Sequence, residues 1–172
     1  MNEFITISPY EMEGNPFRMI DKQWMLITAG NGQSANTMTA SWGGLGALWN
    51  MPVSFAFIRP TRYTYEFTER EDTYSLCFFD ESYRPALNLC GTVSGRDRDK
   101  IAEAGLTLVA PEAVSVPAIR ECPLTLECRV LYSHPQDASR LPEDIRRQFY
   151  SVETGEHTAY YAQIVAAYII ED

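Results

Sequence analysis

Apolar and polar positions alternate with a period of two along much of this chain. Leu124, Leu126, Cys128, Val130 and Tyr132 interleave with Thr125, Glu127 and Arg129, which predicts a strand buried on one face. Residues 24–29 (WMLITA) form a short apolar run closed by Gly30-Asn31-Gly32. Residues 35–42 (ANTMTASW) follow with Thr and Ser between apolar side chains, and the two segments read as a β-hairpin. Gly43, Gly44 and Gly46 then break the pattern. Residues 53–58 predict a strand stopped by Arg59-Pro60, residues 73–79 another, and residues 157–170 a long β-rich run.

Helical signals are short. Thr64 is placed to cap a helix over 64–71. Ser82 is placed to cap one that carries Pro85 in its first turn and ends near Cys90 and Gly91. Asp97 is placed to cap a helix over 98–104 closed by Gly105, and residues 142–150 suggest a fourth. About six or seven strands with two to four short helices, not alternating regularly, predict a mainly β fold: an antiparallel barrel or sandwich. No repeat or linker interrupts residues 1–172, so a single domain is expected.

Composition narrows the functional classes. With 45% hydrophobic and 12% aromatic residues the chain can fill a core. Its net charge of −9, from 14 basic and 23 acidic residues, argues against nucleic acid or an anionic membrane as partner. No stretch approaches the ~18–20 apolar residues of a membrane span. The acidic, Pro- and Gly-broken start MNEFITISPYEMEGNPF lacks the secretory pattern, so the expected location is the cytoplasm. Cys77, Cys90, Cys122 and Cys128 contain no C-x-x-C, and only His134 and His157 could join them. Zinc is therefore not expected, and reduced core thiols are. Neither G-x-G-x-x-G after a strand nor a P-loop motif occurs.

Four segments carry candidate chemistry. Asn36-Thr37-Met38-Thr39-Ala40-Ser41-Trp42 presents short hydroxyl and amide side chains suited to the polar rim of a planar heterocycle, with Met38 and Trp42 for apolar contact. The alternative is an ordinary Thr-rich strand. Arg59-Pro60-Thr61-Arg62-Tyr63-Thr64 puts two arginines at a strand-to-helix turn, where guanidinium forks and helix-start N–H groups favour a phosphate; the alternative is solvated arginines paired with Glu66 or Glu69. Residues 91–100 (GTVSGRDRDK) allow close backbone approach at Ser94 and Gly95, or form only a capped loop. Gly155-Glu156-His157-Thr158 offers a histidine for proton transfer or contact with a nicotinamide, or a solvated turn residue.

Taken together and in order, NTMTASWGGLGALW (36–49), RPTRYTYEF (59–67), YSLCFFDESYRPALNLCGTVSGRDRDKIAEAGLT (74–107) and HTAYYAQIVAAY (157–168) resemble the flavin reductase-like, FMN-binding split-barrel family, including its flavoredoxin branch. The resemblance implies a Greek-key split β-barrel, a homodimer and non-covalent FMN. It implies that Asn36, Thr37, Met38, Thr39, Ser41 and Trp42 line the isoalloxazine and ribityl chain. Arg59, Arg62, Tyr63 and Thr64 would hold the phosphate, with Ser94 and Lys100 near the same pocket. His157 matches a histidine beside the nicotinamide in some relatives, although their Gly-Asp-His is Gly-Glu-His here. Residues 110–150 match poorly and are expected to shape the substrate side. The implied activity is FMN-dependent reduction of flavin or a small substrate by NADH or NADPH. The alternatives are a flavoredoxin-type carrier, charged by a redox protein partner without nicotinamide, and a module that binds a heterocycle without turnover.

Overall fold

The alternation seen in the sequence becomes one large antiparallel sheet in the computed structural model, which describes residues 3–171. Its strands are β1 (Glu3–Ile7), β2 (Met25–Gly30), β3 (Ala35–Ala40), β4 (Gly43–Leu48), β5 (Met51–Ile58), β6 (Thr73–Phe78), β9 (Leu124–Pro135) and β10 (Thr158–Glu171). A separate two-stranded ribbon joins β7 (Leu108–Val109) to β8 (Ala118–Ile119). The main path runs β3-β2-β6-β9-β10-β5-β4, with β1 also on β10. Along one edge β10 pairs first with β5, through Thr158–Gln163, and then with β1 from Ala167 onward. The fold is thus mainly β with four short helices: α1 (Tyr63–Glu71), α2 (Arg84–Thr92), α3 (Lys100–Glu103) and α4 (Glu143–Phe149).

Both predicted faces of the hairpin are covered. One face of β2 and β3 sends Met25, Ile27 and Met38 into the main core with Ile58, Phe67, Leu76, Leu126 and Tyr160. From the opposite face Leu26 packs with Cys77, Leu87, Cys90, Ile101 and Cys122, under α2 and α3. Burial on two sides explains why WMLITA reads as a continuous apolar run. The hairpin turn is closed by Asn31, whose Oδ1 accepts from Gln33 N and Ser34 N. At Gly30 φ is +123°, and a Cβ would lie 2.2 Å from the Ser34 carbonyl oxygen, so only glycine fits.

Several local expectations are corrected. Gly43, Gly44 and Gly46 do not break the sheet: they lie in β4, the terminal strand beside β5, where the Phe55 ring covers Gly44 and Gly46. A neighbouring aromatic ring replaces the missing side-chain contacts of those glycines. Arg62, not Thr64, is the residue before α1, and it makes no side-chain cap. Asp80 caps a 3-10 turn ahead of α2, and α2 runs through Gly91 to Thr92. Asp99, not Asp97, caps α3, accepting from Ala102 N at 3.2 Å. Ahead of α2 and α3 a short polar residue stood within two positions of the expected one, and the tertiary path of the chain selected between them. All four cysteines are buried and free. Among the described residues no helix is long and apolar enough to cross a membrane, and no His/Cys/Asp/Glu cluster could hold a metal.

Candidate functional site

The turn after β5 and the loop after α2 meet across a cavity of about 300 Å3, lined by Thr61, Arg62, Tyr63 and Thr64 on one side and Gly91–Ser94, Arg96 and Lys100 on the other. α1 presents its N-terminus here, which favours an anion. Asn36 ties β3 to this turn: its Nδ2 donates to Thr64 Oγ1 at 2.8 Å. The Gly95 backbone comes so close to that carboxamide that a Cβ would sit 2.0 Å from Asn36 Oδ1 and 3.2 Å from the Tyr63 ring.

The cations differ in how they are compensated. Lys100 is buried and its Nζ donates to the carbonyls of Cys90 (2.9 Å) and Val93 (3.0 Å), anchoring the loop. Burial, and secondarily the nearby Arg62 charge, pulls its pKa down to about 8. Arg96 donates to Thr61 O, pairs with Glu66 and lies over the Tyr63 ring. Arg62 is half-buried and its guanidinium makes no hydrogen bond or ion pair among the described residues. Burial, then the Arg59 charge, lowers its pKa. A half-buried cation beside two others, with no carboxylate of its own, fits an incoming anion.

Arg59 does not line this cavity, which corrects the expectation that both arginines grip one phosphate. Its Nη1 donates to Gly155 O (3.1 Å), Nη2 to Phe149 O (2.9 Å) and Nε to His157 Nε2 (3.3 Å). Because an arginine Nε–H can only donate, His157 Nε2 is the acceptor and Nδ1 carries the proton. Nδ1 then donates to Tyr150 Oη (3.1 Å), whose hydroxyl donates to Gln136 Oε1 (3.2 Å). Burial, and then the Arg59 charge, brings the His157 pKa down to about 4, so the ring is neutral near pH 7. His157 is not the solvated turn residue of the bland reading. It stands under Trp42, which also meets Phe149 edge-on.

The strand residues divide. Thr37 is fully buried, bonded to Thr28 Oγ1 (3.0 Å) and Ile27 O (3.2 Å), and Met38 lies in the core. Thr39 Oγ1 donates to Leu87 O. These three side chains are committed to packing and to protein partners. What β3 offers is its outer backbone edge: it terminates the sheet path, and no described strand pairs with that edge. Ser41 and Trp42 continue past it into an apolar cavity of about 450 Å3 with Phe17, Ile20, Leu45 and Phe57. Ser94 lines the cavity beside Arg62. The close approach expected at Gly95 is present, whereas Arg96, Tyr150, Phe149 and Gln136 were not singled out from the sequence. The run SGRDRD hinted at Arg96; nothing in sequence pointed across some 98 residues from Arg59 to His157.

FMN requires cations and N–H donors for its phosphate, a polar strip for the ring edge and apolar cover. The uncompensated Arg62, the Gly95 cradle and the open β3 edge meet these needs, with Lys100, Arg96 and Ser94 as further donors.

Comparison with known proteins agrees. The sequence profile of the flavin reductase like domain matches residues 17–172. An uncharacterized protein of Archaeoglobus fulgidus is 28% identical over 139 residues, covering 77% of this chain and 64% of that protein, so the chain spans less than two thirds of this relative. Flavoredoxin from Methanosarcina acetivorans superposes with a TM-score of 0.67 at 24% identity, covering 86% of this chain and 68% of that one. The FMN-binding domain of a flavin reductases-like enzyme from Shewanella baltica gives 0.68 at 16% identity, covering 98% and 78%. The fold is that of the split barrel.

Proposed function

The chain belongs to the flavin reductase like family, and on that footing we propose that it binds FMN and catalyses NADH- or NADPH-dependent reduction of flavin or a small substrate. The observation that carries the proposal is Arg62: a half-buried guanidinium without a carboxylate partner, at the start of α1, lining the same cavity as Lys100 and Ser94.

Bound FMN supplies the redox chemistry, accepting a hydride or single electrons. The chain's own residues bind and orient. Arg62 and Ser94 take the phosphate, with Tyr63 beside them; Lys100, held by the Cys90 and Val93 carbonyls, adds its charge from behind, and Thr64, buried and bonded to Asn36, fixes the turn. Asn36 locks β3 against α1 so that the backbone edge from Thr37 to Thr39 meets the polar rim of the heterocycle. Ser41 and Trp42 flank the ring, and Phe149 shields it from water. His157, neutral and held through both ring nitrogens by Arg59 and Tyr150, offers the nicotinamide side a fixed ring beside Trp42 rather than a proton.

A second copy of the chain is part of the reading. On the sheet formed by β5, β10 and β9, Phe55, Tyr161, Tyr132 and His134 form a contiguous aromatic row, and Tyr132 is 52% exposed. Such a surface suits a homodimer interface. The proposed location is the cytoplasm.

The test is anaerobic mixing of FMN-loaded protein with NADH or NADPH. Rapid bleaching of the flavin's visible absorption is expected. Unchanged colour with either nucleotide, and reduction only by a protein donor, would replace the reductase by a flavoredoxin-type carrier. A single-chain mass in sedimentation at micromolar concentration would overturn the dimer.

A further inference from the structure

The crossover from β9 to β10 is pinned at its base and loosely held at its tip. At the base Pro135 lies opposite Thr158 in the sheet, Gln136 N donates to His157 O (2.8 Å), and Ala138 N donates to Glu156 Oε1 (2.8 Å). Beyond Leu141 the character changes. No residue from 142 to 156 is buried. The ion pairs of α4, Glu143 with Arg146 and Arg147, stay within the helix. The turn after it closes on itself through Ser151 and Thr154. A segment that buries so little surface lies at the low end of local stability.

We propose that residues 142–155 form a lid over the Trp42 end of the site, and that Arg59 is the positioning residue that latches it shut. That the lid covers a flavin ring rests on the FMN reading above; that it moves does not.

Among the described residues, the polar contacts of this segment with the rest of the chain pass through two side chains. Tyr150 Oη meets Gln136 and His157 near the base. Arg59, just past the end of β5, donates to Phe149 O and to Gly155 O, and so grips the tip at two points six residues apart. Its guanidinium also lies over the Tyr150 ring, 5.4 Å from the centroid. The apolar contact is Phe149 edge-on to Trp42, with ring centroids 5.2 Å apart. Opening therefore requires only that two carbonyls exchange Arg59 for water and that two half-exposed rings part, whereas moving the base would break the β9–β10 ladder. Gly155 stands at one root of the tip with φ +64° and open space where a Cβ would lie, so it can absorb the change in backbone angle. Shut, the lid holds Phe149 against Trp42 and excludes water from the ring beside it; open, it admits a small molecule.

Amide hydrogen exchange of the full chain without ligand, read by mass spectrometry, tests the movement. Amides of residues 143–155 are expected to exchange about a hundredfold faster than those of β9 and β10. Arg59→Gln and, on the exposed helix, Phe149→Ala are each expected to speed the tip by about fivefold or more and to leave β5, β9 and β10 within about twofold. A tip as slow as β10, or variants that loosen the strands as much as the tip, overturns the lid. The cover is tested on the FMN-loaded protein after chemical reduction: reoxidation by dioxygen is expected to run about fivefold faster or more in both variants, with FMN affinity changed by less than about twofold. Unchanged reoxidation in a variant whose tip has loosened overturns the covering role. Failure of FMN to bind overturns the parent reading alone, because the exchange measurement needs no ligand.

Discussion

Removing Arg62 should weaken FMN binding while leaving the ligand-free protein at least as stable as before. In the ligand-free protein its guanidinium is half-buried, uncompensated and close to Arg59. Arg62→Ala therefore deletes a charge that burial and a like neighbour both disfavour, and apoprotein stability should hold or rise slightly. With FMN bound, the same change deletes a charge-assisted contact to phosphate worth about 1.5–3 kcal/mol, or roughly 10- to 150-fold in Kd. Riboflavin lacks the phosphate and should lose less than about twofold. The difference is readable by thermal shift. At a ligand concentration near 100 times the original Kd, FMN stabilises the native state by about 2.7 kcal/mol, which falls to roughly 0.3–1.3 kcal/mol in the variant. For a chain of 172 residues each kcal/mol corresponds to ~2–4 °C, so most of the FMN-induced shift should vanish while the apoprotein melts where it did. Equal losses for FMN and riboflavin would refute the phosphate assignment. A ligand-free variant destabilised by more than about 1 kcal/mol would refute the claim that Arg62 is uncompensated.

Three further outcomes follow from the same geometry. Glu127 is fully buried and its carboxylate accepts from the backbone N–H of Glu112, Ala113 and Val114 and from the Tyr168 hydroxyl; Glu127→Ala should cost about 3–5 kcal/mol in urea unfolding, and a loss under about 1 kcal/mol would show that the 112–114 loop does not depend on it. His157 titrates near 4 when folded against 6.5 ordinarily. The unfolded chain therefore binds the extra proton between these values. The native state keeps its full stability above pH 6.5 and loses up to about 3 kcal/mol as pH falls through 4. An NMR titration midpoint near 6.5 would contradict this. Gly95→Ala should weaken FMN because the new Cβ meets Asn36 Oδ1; unchanged FMN affinity would show that the Asn36–Gly95 contact does not shape the cavity.

The sequence by itself determined the strands and the general chemistry. Period-two alternation in Leu124–Tyr132 fixed a strand, because successive side chains of an extended chain must face opposite ways, but not its half-burial: Thr125 and Glu127 are as buried as Leu126 and Cys128, and Tyr132 is exposed. The hairpin at Gly30 was legible because only glycine tolerates that backbone at so close an approach. Two arginines at a strand-to-helix turn of an acidic chain marked that turn as a candidate anion site, since that reading depends on residue type and local spacing. Tertiary structure decided the rest. Whether Arg59 or Arg62 faces the cavity depends on which carbonyls lie nearby, and those at Phe149 and Gly155 are some 90 residues away in sequence. Whether Thr37 lines a ligand or bonds to Thr28 depends on which sheet face α2 covers. Gly44 and Gly46 looked like breakers until the Phe55 ring supplied the contacts they lack. Local patterning sets the element and the kind of side chain; long-range packing sets which groups are already satisfied and which remain free to bind.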